Sequence, residues 1–364
     1  MKRAFGVAVV FAMAVLTPTS ASASAVAGSG KVATMAVYGD SPYGISPTET
    51  AQFDATPAFI DSINADPAVG GVLHVGDIHS GKQYCTESYD RSIAALWTRF
   101  TDPLVYTPGD NEWADCHKVG EGGGLGVDYA DGNPAANLAL IRSIFFPRPE
   151  ATLGGKGHVT SQALEFDPAH PEDAAYVENV RWRQAKVVFV TLNIPGGSNN
   201  DQDPWFGQPL TAQQSDEVAT RTGADLRWLA AAFAEAKAED SPAVVIAEQA
   251  DMWDLDGKTP AHLSGYAPFV AAIAAAAADF GRPVLMFNGD SHVYRSDNPL
   301  AASDPLNYLH TPPTGTYDVP NFHRVVVHGS TTPLEWLRLT VDPQASYPAS
   351  AEAFGPFTWS RVQP

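Results

Sequence analysis

Three shortages narrow the class of this chain before any motif is read. Cysteine is scarce: Cys85 and Cys116 are the two in 364 residues, and a zinc–thiolate site needs more soft ligands than one distant pair offers. Positive charge is scarce as well, with 22 Lys and Arg against 41 Asp and Glu for a net charge of −19. Non-specific nucleic-acid binding rests on Lys and Arg neutralising phosphates, so that function is disfavoured, as is docking on anionic lipid. Long apolar runs are missing too. Ala4 to Leu16 is 13 residues, and Ala-rich Phe269 to Phe280 is also too short to span a bilayer, so it reads as a buried helix. No Gly-x-Ser-x-Gly elbow supports a nucleophilic serine. The glycine-rich loop Glu121 to Gly126 has neither the lysine nor the following helix of a phosphate cradle. No repeat of solenoid period occurs.

What is present begins with Met1-Lys2-Arg3, the short apolar run, and a small-residue stretch with Ala-x-Ala sites. That layout is a secretory signal peptide over residues 1–27, cleaved after Ala23, Ala25 or Ala27. The expected product is a secreted protein, residues 31–364 forming one domain. Losing Lys2 and Arg3 moves the net charge from −19 to −21. In an oxidising compartment Cys85 and Cys116 are expected to pair as a disulfide, tying together two loops that follow Asp77 and Asp110.

The organising pattern is an apolar strand that stops on Gly-Asp. It occurs at Ala36 to Asp40, Val72 to Asp77, Val105 to Asp110 and Leu285 to Asp290. One such ending is ordinary turn chemistry. Four, each straight after a strand, predict carboxylates gathered at one sheet edge, the edge where open α/β sheets bind ligands. Between them the chain reads β-α-β-α-β, with helices from Ser46–Thr50 to about Asn64, around Asp90 to Phe100, and Asn133 to Phe146. Residues 147–171 read as irregular. A hairpin is predicted within Ala175 to Asn193, then helix Thr211 to Glu239, strand Ala243 to Ala247, helix His262 to Phe280 and strand Pro283 to Phe287. The fold class is α/β, with a mostly parallel sheet.

The ordered set Asp40, Asp77, Asp110-Asn111-Glu112, Glu248-Gln249 and Asp290-Ser291-His292 resembles the calcineurin-like metallophosphoesterases, which include the purple acid phosphatases. The likeness runs from Ala36 to Arg295. It implies a β-sandwich flanked by helices, the site at strand carboxyl ends, and one or two divalent cations. By resemblance Asp40 and His292 are metal ligands and Asp77 bridges two metals. The other positions depart from the family: Asp110 stands for a ligand Asn, Asn111 for the proton-handling His, Asp290 for a His, and Glu248 or Gln249 for another His. The residue two after Asp40 is Pro42 rather than a ligand, and Ser80 stands where a tyrosine is expected, a gap that Tyr43 or His79 is placed to fill. Carboxylates replacing imidazole favour Mg²⁺, Mn²⁺ or Ca²⁺, with Zn²⁺ or iron remaining options. The implied activity is attack of a metal-activated hydroxide on a small phosphorylated substrate, a phosphomonoester or phosphodiester, with Asn111 and His79 as the catalytic candidates. The alternative is a catalytically impaired metal- or ligand-binding protein on the same scaffold. Oligomeric state is not legible.

Overall fold

The computed structural model describes Met1, residues 31–312 and residues 314–363. The expected signal peptide lies outside the described residues. Strands form where apolar residues alternate between two covered faces. In β1 (Ala33–Tyr38), Met35 and Val37 point one way and Ala36 and Tyr38 the other, and all four are buried. Such double burial is the mark of interior strands.

The first sheet holds seven strands in the order β13-β14-β12-β1-β2-β3-β4. These are β2 (Val69–His74), β3 (Pro103–Tyr106), β4 (Leu153–Gly154), β12 (Trp336–Val341), β13 (Ala353–Phe354) and β14 (Phe357–Val362) around β1. The second sheet has the order β10-β11-β9-β8-β7-β6-β5: β5 (Thr160–Ser161), β6 (Val180–Gln184), β7 (Val187–Thr191), β8 (Val244–Ala247), β9 (Val284–Asn288), β10 (Arg295–Asp297) and β11 (Phe322–Val326). Within the first sheet β1, β2 and β3 run parallel, and within the second β7, β8, β9 and β11 do. The remaining pairs are antiparallel, including the predicted β6–β7 hairpin. The fold is α/β, two mixed sheets flanked by helices.

Three apolar layers hold it together. Met35, Val37 and Leu73 of one sheet meet Phe189, Val245, Leu285 and Phe287 of the other. The outer face of the first sheet is covered by α1 (Ala51–Asn64), α2 (Glu87–Trp97) and α3 (Pro134–Phe145) through Phe59, Ile60, Ile93, Trp97 and Ile141. The second is covered by α4 (Ala212–Ala238) and α5 (Ala267–Phe280) through Trp228, Leu229, Phe233, Phe269 and Ile273. Fully burying one such side chain contributes about 1.5–3 kcal/mol.

Helix starts follow local chemistry. Thr86, Asn133 and Thr211 each accept a hydrogen bond from a first-turn amide, which satisfies a donor the helix leaves open. The start of α1 is built differently. Thr50 makes no such bond, and the Glu49 carboxylate accepts from Ala51 N at 2.6 Å instead. The stretch Pro260–Phe280 passes a length-and-apolarity test for a membrane span. It is a 3₁₀ segment followed by α5, whose Phe269, Val270, Ile273, Ala277 and Phe280 are buried.

Candidate active site

The four Gly-Asp endings do meet. Asp40 and Asp77 follow β1 and β2, Asp110 lies past β3 and Asp290 just past β9. Asp40, Asp77 and Asp290 all take positive φ, at 48°, 60° and 71°, which turns each strand sharply at its end. The preceding glycines permit close approach. A Cβ on Gly109 would sit 2.0 Å from Asp77 Oδ1, and one on Gly289 would sit 2.1 Å from Asp40 Oδ2. Neither position admits a side chain while the carboxylate stays where it is.

Hydrogen bonds stitch the two sheet edges together. Asp290 N donates to Asp40 Oδ1 at 2.8 Å, and Gln249 Nε2 donates to Asp77 Oδ2 at 3.2 Å and to Asp110 Oδ1 at 2.9 Å. Asp77 also accepts from the Tyr43 hydroxyl at 2.7 Å and from Asn111 Nδ2 at 3.1 Å. His292 Nε2 lies 3.2 Å from Asp40 Oδ1 and 3.3 Å from Tyr43 Oη. Its Nδ1 lies 3.2 Å from Ser330 Oγ. One potential ligand atom each from Asp40, Asp77 and His292 falls within 4.8 Å of the others.

The electrostatics are those of crowded, buried acids. Burial lifts the Asp77 carboxyl well above the usual range, and Asp110, Glu112 and Asp40 add to it. Asp110 is pushed up to about 8 by burial and by Asp115. Asp290 is raised by burial, then by Asp110 and Asp40. Burial disfavours charge on His292, but the Asp40 carboxylate outweighs it and holds the imidazole above its ordinary value. Asp40 Oδ2 is buried and finds no partner. A divalent cation fits this donor set: carboxylate oxygens, a phenol and one imidazole converge, with an orphaned oxygen among them and, among the described residues, no Lys or Arg paired to them.

Several sequence-derived expectations change at the level of the side chain. Of the two residues placed to fill the missing-tyrosine position, the structure brings in Tyr43 and leaves out His79. The His79 ring is wholly buried, stacked edge-on to Tyr89, and lines neither cleft described below. Burial lowers its pKa to about 4, so the ring is held neutral and apart from both clefts. Asn111 is at the site, but Nδ2 is engaged with Tyr43 Oη, Asp77 Oδ2 and the His79 carbonyl at 2.8–3.1 Å. It clamps Tyr43 and Asp77 rather than offering a free donor to substrate. Of Glu248 and Gln249, it is Gln249 that faces the cluster. Gly196 N donates to Gln249 Oε1 at 2.7 Å, which turns the amide nitrogen toward the carboxylates, so Gln249 acts as a donor and not as a ligand in this arrangement. Glu248 is buried outside both clefts with neither oxygen partnered, and burial, Asp290 and Asp251 raise its pKa.

Sequence reading missed the support behind Asp290. Arg324, fully buried in β11, bonds Asp251 at 2.5 Å and Asp297 at 2.8 Å. Asp251 in turn accepts from Ser291 Oγ and donates its N–H to Asp290 Oδ2 at 3.0 Å. An arginine inside the apolar run Phe322 to Val327 was the available signal. Cys85 and Cys116 form the expected disulfide. Both sulfurs lie against the Asn111 carbonyl, at 3.2 and 3.6 Å.

Two clefts share Asp110, Asp290 and His292 as a common wall. One, of about 430 Å³, is lined by Tyr43, Ile45, Gln52, Gly81, Lys82 and Ser330 among others. The second, of about 300 Å³, is lined chiefly by aspartates and reaches Lys118, Lys258 and Tyr266.

Among solved structures, a purple acid phosphatase from yellow lupin (Lupinus luteus) seeds is similar to 87% of this chain, with a TM-score of 0.40 and 13% identity. The chain spans 50% of that structure's length. No family model matches the chain, and no curated protein does. The chemistry is therefore read from the side chains alone.

Proposed function

We propose that the protein is a metal-dependent phosphoester hydrolase, secreted after loss of its N-terminal segment, with residues 31–364 as one domain. The observation that carries this reading is the cluster of buried Asp40, Asp77 and Asp110 with half-buried Asp290, closed by Tyr43 and His292 and without a Lys or Arg partner among the described residues. Asp40, Asp77, Tyr43 and His292 would hold one divalent cation, and Asp77, Asp110 and Asp290 a second. When bound, such cations neutralise phosphate oxygens and lower the pKa of water.

The chain's own groups do the rest. Gln249 and Asn111 fix the carboxylates in place, and Lys82 sets an ammonium at the rim of the larger cleft for an anionic oxygen. His292 is the single histidine lining that cleft, and it is tied to Asp40, so no free imidazole protonates a leaving group there. General-acid help is typically worth about 10²–10⁴ in rate. Activated aryl esters, which need little protonation, should therefore be turned over best. The same feature favours a second reading, a metal- or ligand-binding protein without turnover.

Purified protein, loaded in turn with Mg²⁺, Mn²⁺, Ca²⁺ and Zn²⁺, should bind metal and hydrolyse aryl phosphoesters. Turnover by Asn111→His alone would favour the binding reading. Metal uptake with both proteins inert would remove the hydrolase assignment.

A further inference from the structure

We infer that the substrate is a phosphodiester laid across the carboxylate cluster, one substituent in each cleft; this rests on the hydrolase reading above. Asp110, Asp290 and His292 form the wall common to both clefts, so a phosphoryl group held there has room on two sides. At about 430 and 300 Å³, each cleft reaches the range of roughly 300–1,000 Å³ typical of small-molecule sites. A monoester has a single substituent and would leave one of them vacant.

Charge points the same way. Lys82 is the one Lys or Arg lining the larger cleft, and it makes no ion pair among the described residues. Besides the cations proposed for the cluster, it is the one positive group at that rim, so the larger cleft offers no place for a further phosphate. The second cleft is hostile to anions: seven aspartates line it against two lysines. Both lysines are already held, Lys118 by Asp115 at 2.5 Å and Lys258 by Asp203 at 3.3 Å. With Asp110 and Asp290 given to cations and Asp251 to Arg324, Asp254 and Asp256 are the acids left over there, so an uncharged or cationic substituent fits better than a second phosphate. The substituent in the larger cleft meets Ile45, Gln52 and the Gly81 backbone, a mixed surface with one exposed aliphatic side chain.

The test compares bis(p-nitrophenyl) phosphate with p-nitrophenyl phosphate on the metal-loaded full chain, since both release the same leaving group. The diester should have the higher kcat/KM by about tenfold or more, the scale on which one fitted or misfitted group acts. Ile45→Trp and Lys258→Trp, each narrowing one cleft at its rim, should both lower that ratio. Binding is read independently of turnover: diphenyl phosphate should raise the melting temperature of the metal-loaded protein more than phenyl phosphate does. A monoester preference in rate or in thermal shift overturns the inference and leaves the hydrolase reading standing. Ratios unmoved by both variants also overturn it. Metal-bound protein that turns over neither ester removes both.

Discussion

This molecule buries acids in two ways, and the contrast explains the site. Away from the sheet edge, three carboxylates each have a cation of their own. Arg142 grips Glu178 with two bonds of 2.8 and 2.6 Å, Arg227 grips Asp173, and Arg221 meets Glu217 at 2.6 Å. At the sheet edge Asp40, Asp77, Asp110 and Asp290 have amides, a phenol and one imidazole, but no arginine. Both arrangements face a desolvation cost. The first is solved within the chain. The second leaves negative charge for an external cation, or protons in its place, and that is what separates a structural network from a binding site.

The largest expected effect comes from breaking the self-sufficient cluster. Arg142→Met leaves Glu178 buried and uncompensated, at a cost of about 3–5 kcal/mol in denaturant unfolding. A loss no greater than that of an exposed substitution would erase the contrast.

The site should respond to ions where the arginine network does not. A divalent cation at ~100 times its dissociation constant should stabilise the metal-free protein by about 2.7 kcal/mol. Thermal melts with and without chelator check this. Asp77→Asn should abolish the gain, while Arg142→Met should keep it.

The smallest effect is a pH dependence of the metal-free protein. Asp110 sits near 8 when folded against about 3.9 unfolded. A raised carboxyl pKa means its stabilisation is full at low pH and is lost as pH rises through about 8. His74 and His79 work in the opposite sense. Burial lowers both to about 4, so their contribution is present above the unfolded value of about 6.5 and is lost as pH falls toward 4. Raising pH from about 6.5 to 8.5 should therefore weaken the wild type by on the order of 1–2 kcal/mol or more, and Asp110→Asn should reduce that slope. An unaltered slope in the variant would assign the titration elsewhere.

The sheet-and-helix frame and the four Gly-Asp endings were legible because both depend on local pattern: apolar alternation, then glycine, then a short acid. The partners of those acids were not. Tyr43 and His79 lie at similar short distances from a Gly-Asp ending, and only the path of the turn after Asp40 brings the phenol, not the imidazole, to Asp77. Glu248 and Gln249 are adjacent, and what selects the amide is Gly196 N, a donor 53 residues earlier in the chain. The aspartate-lined cleft is assembled from loops around Gly197, Asp203 and Asp254 to His262, which carry no periodicity to read.

The place of β1 in its sheet has a consequence for how the chain is made. Its neighbours are β2, which follows it closely, and β12 at residues 336–341. The Asp40–Asp290 bond likewise joins residues 250 apart. A nascent chain therefore carries an open, apolar strand edge from the synthesis of β1 until that of β12, and such edges invite pairing with other chains. Folding dominated by contacts this distant is slow. Asp77 and Asp110 can find each other early, on neighbouring strands. Asp40 gains its full setting only once Asp290 and β12 have emerged, so a chain stalled or cut before them would contain most of the acids and never the finished site.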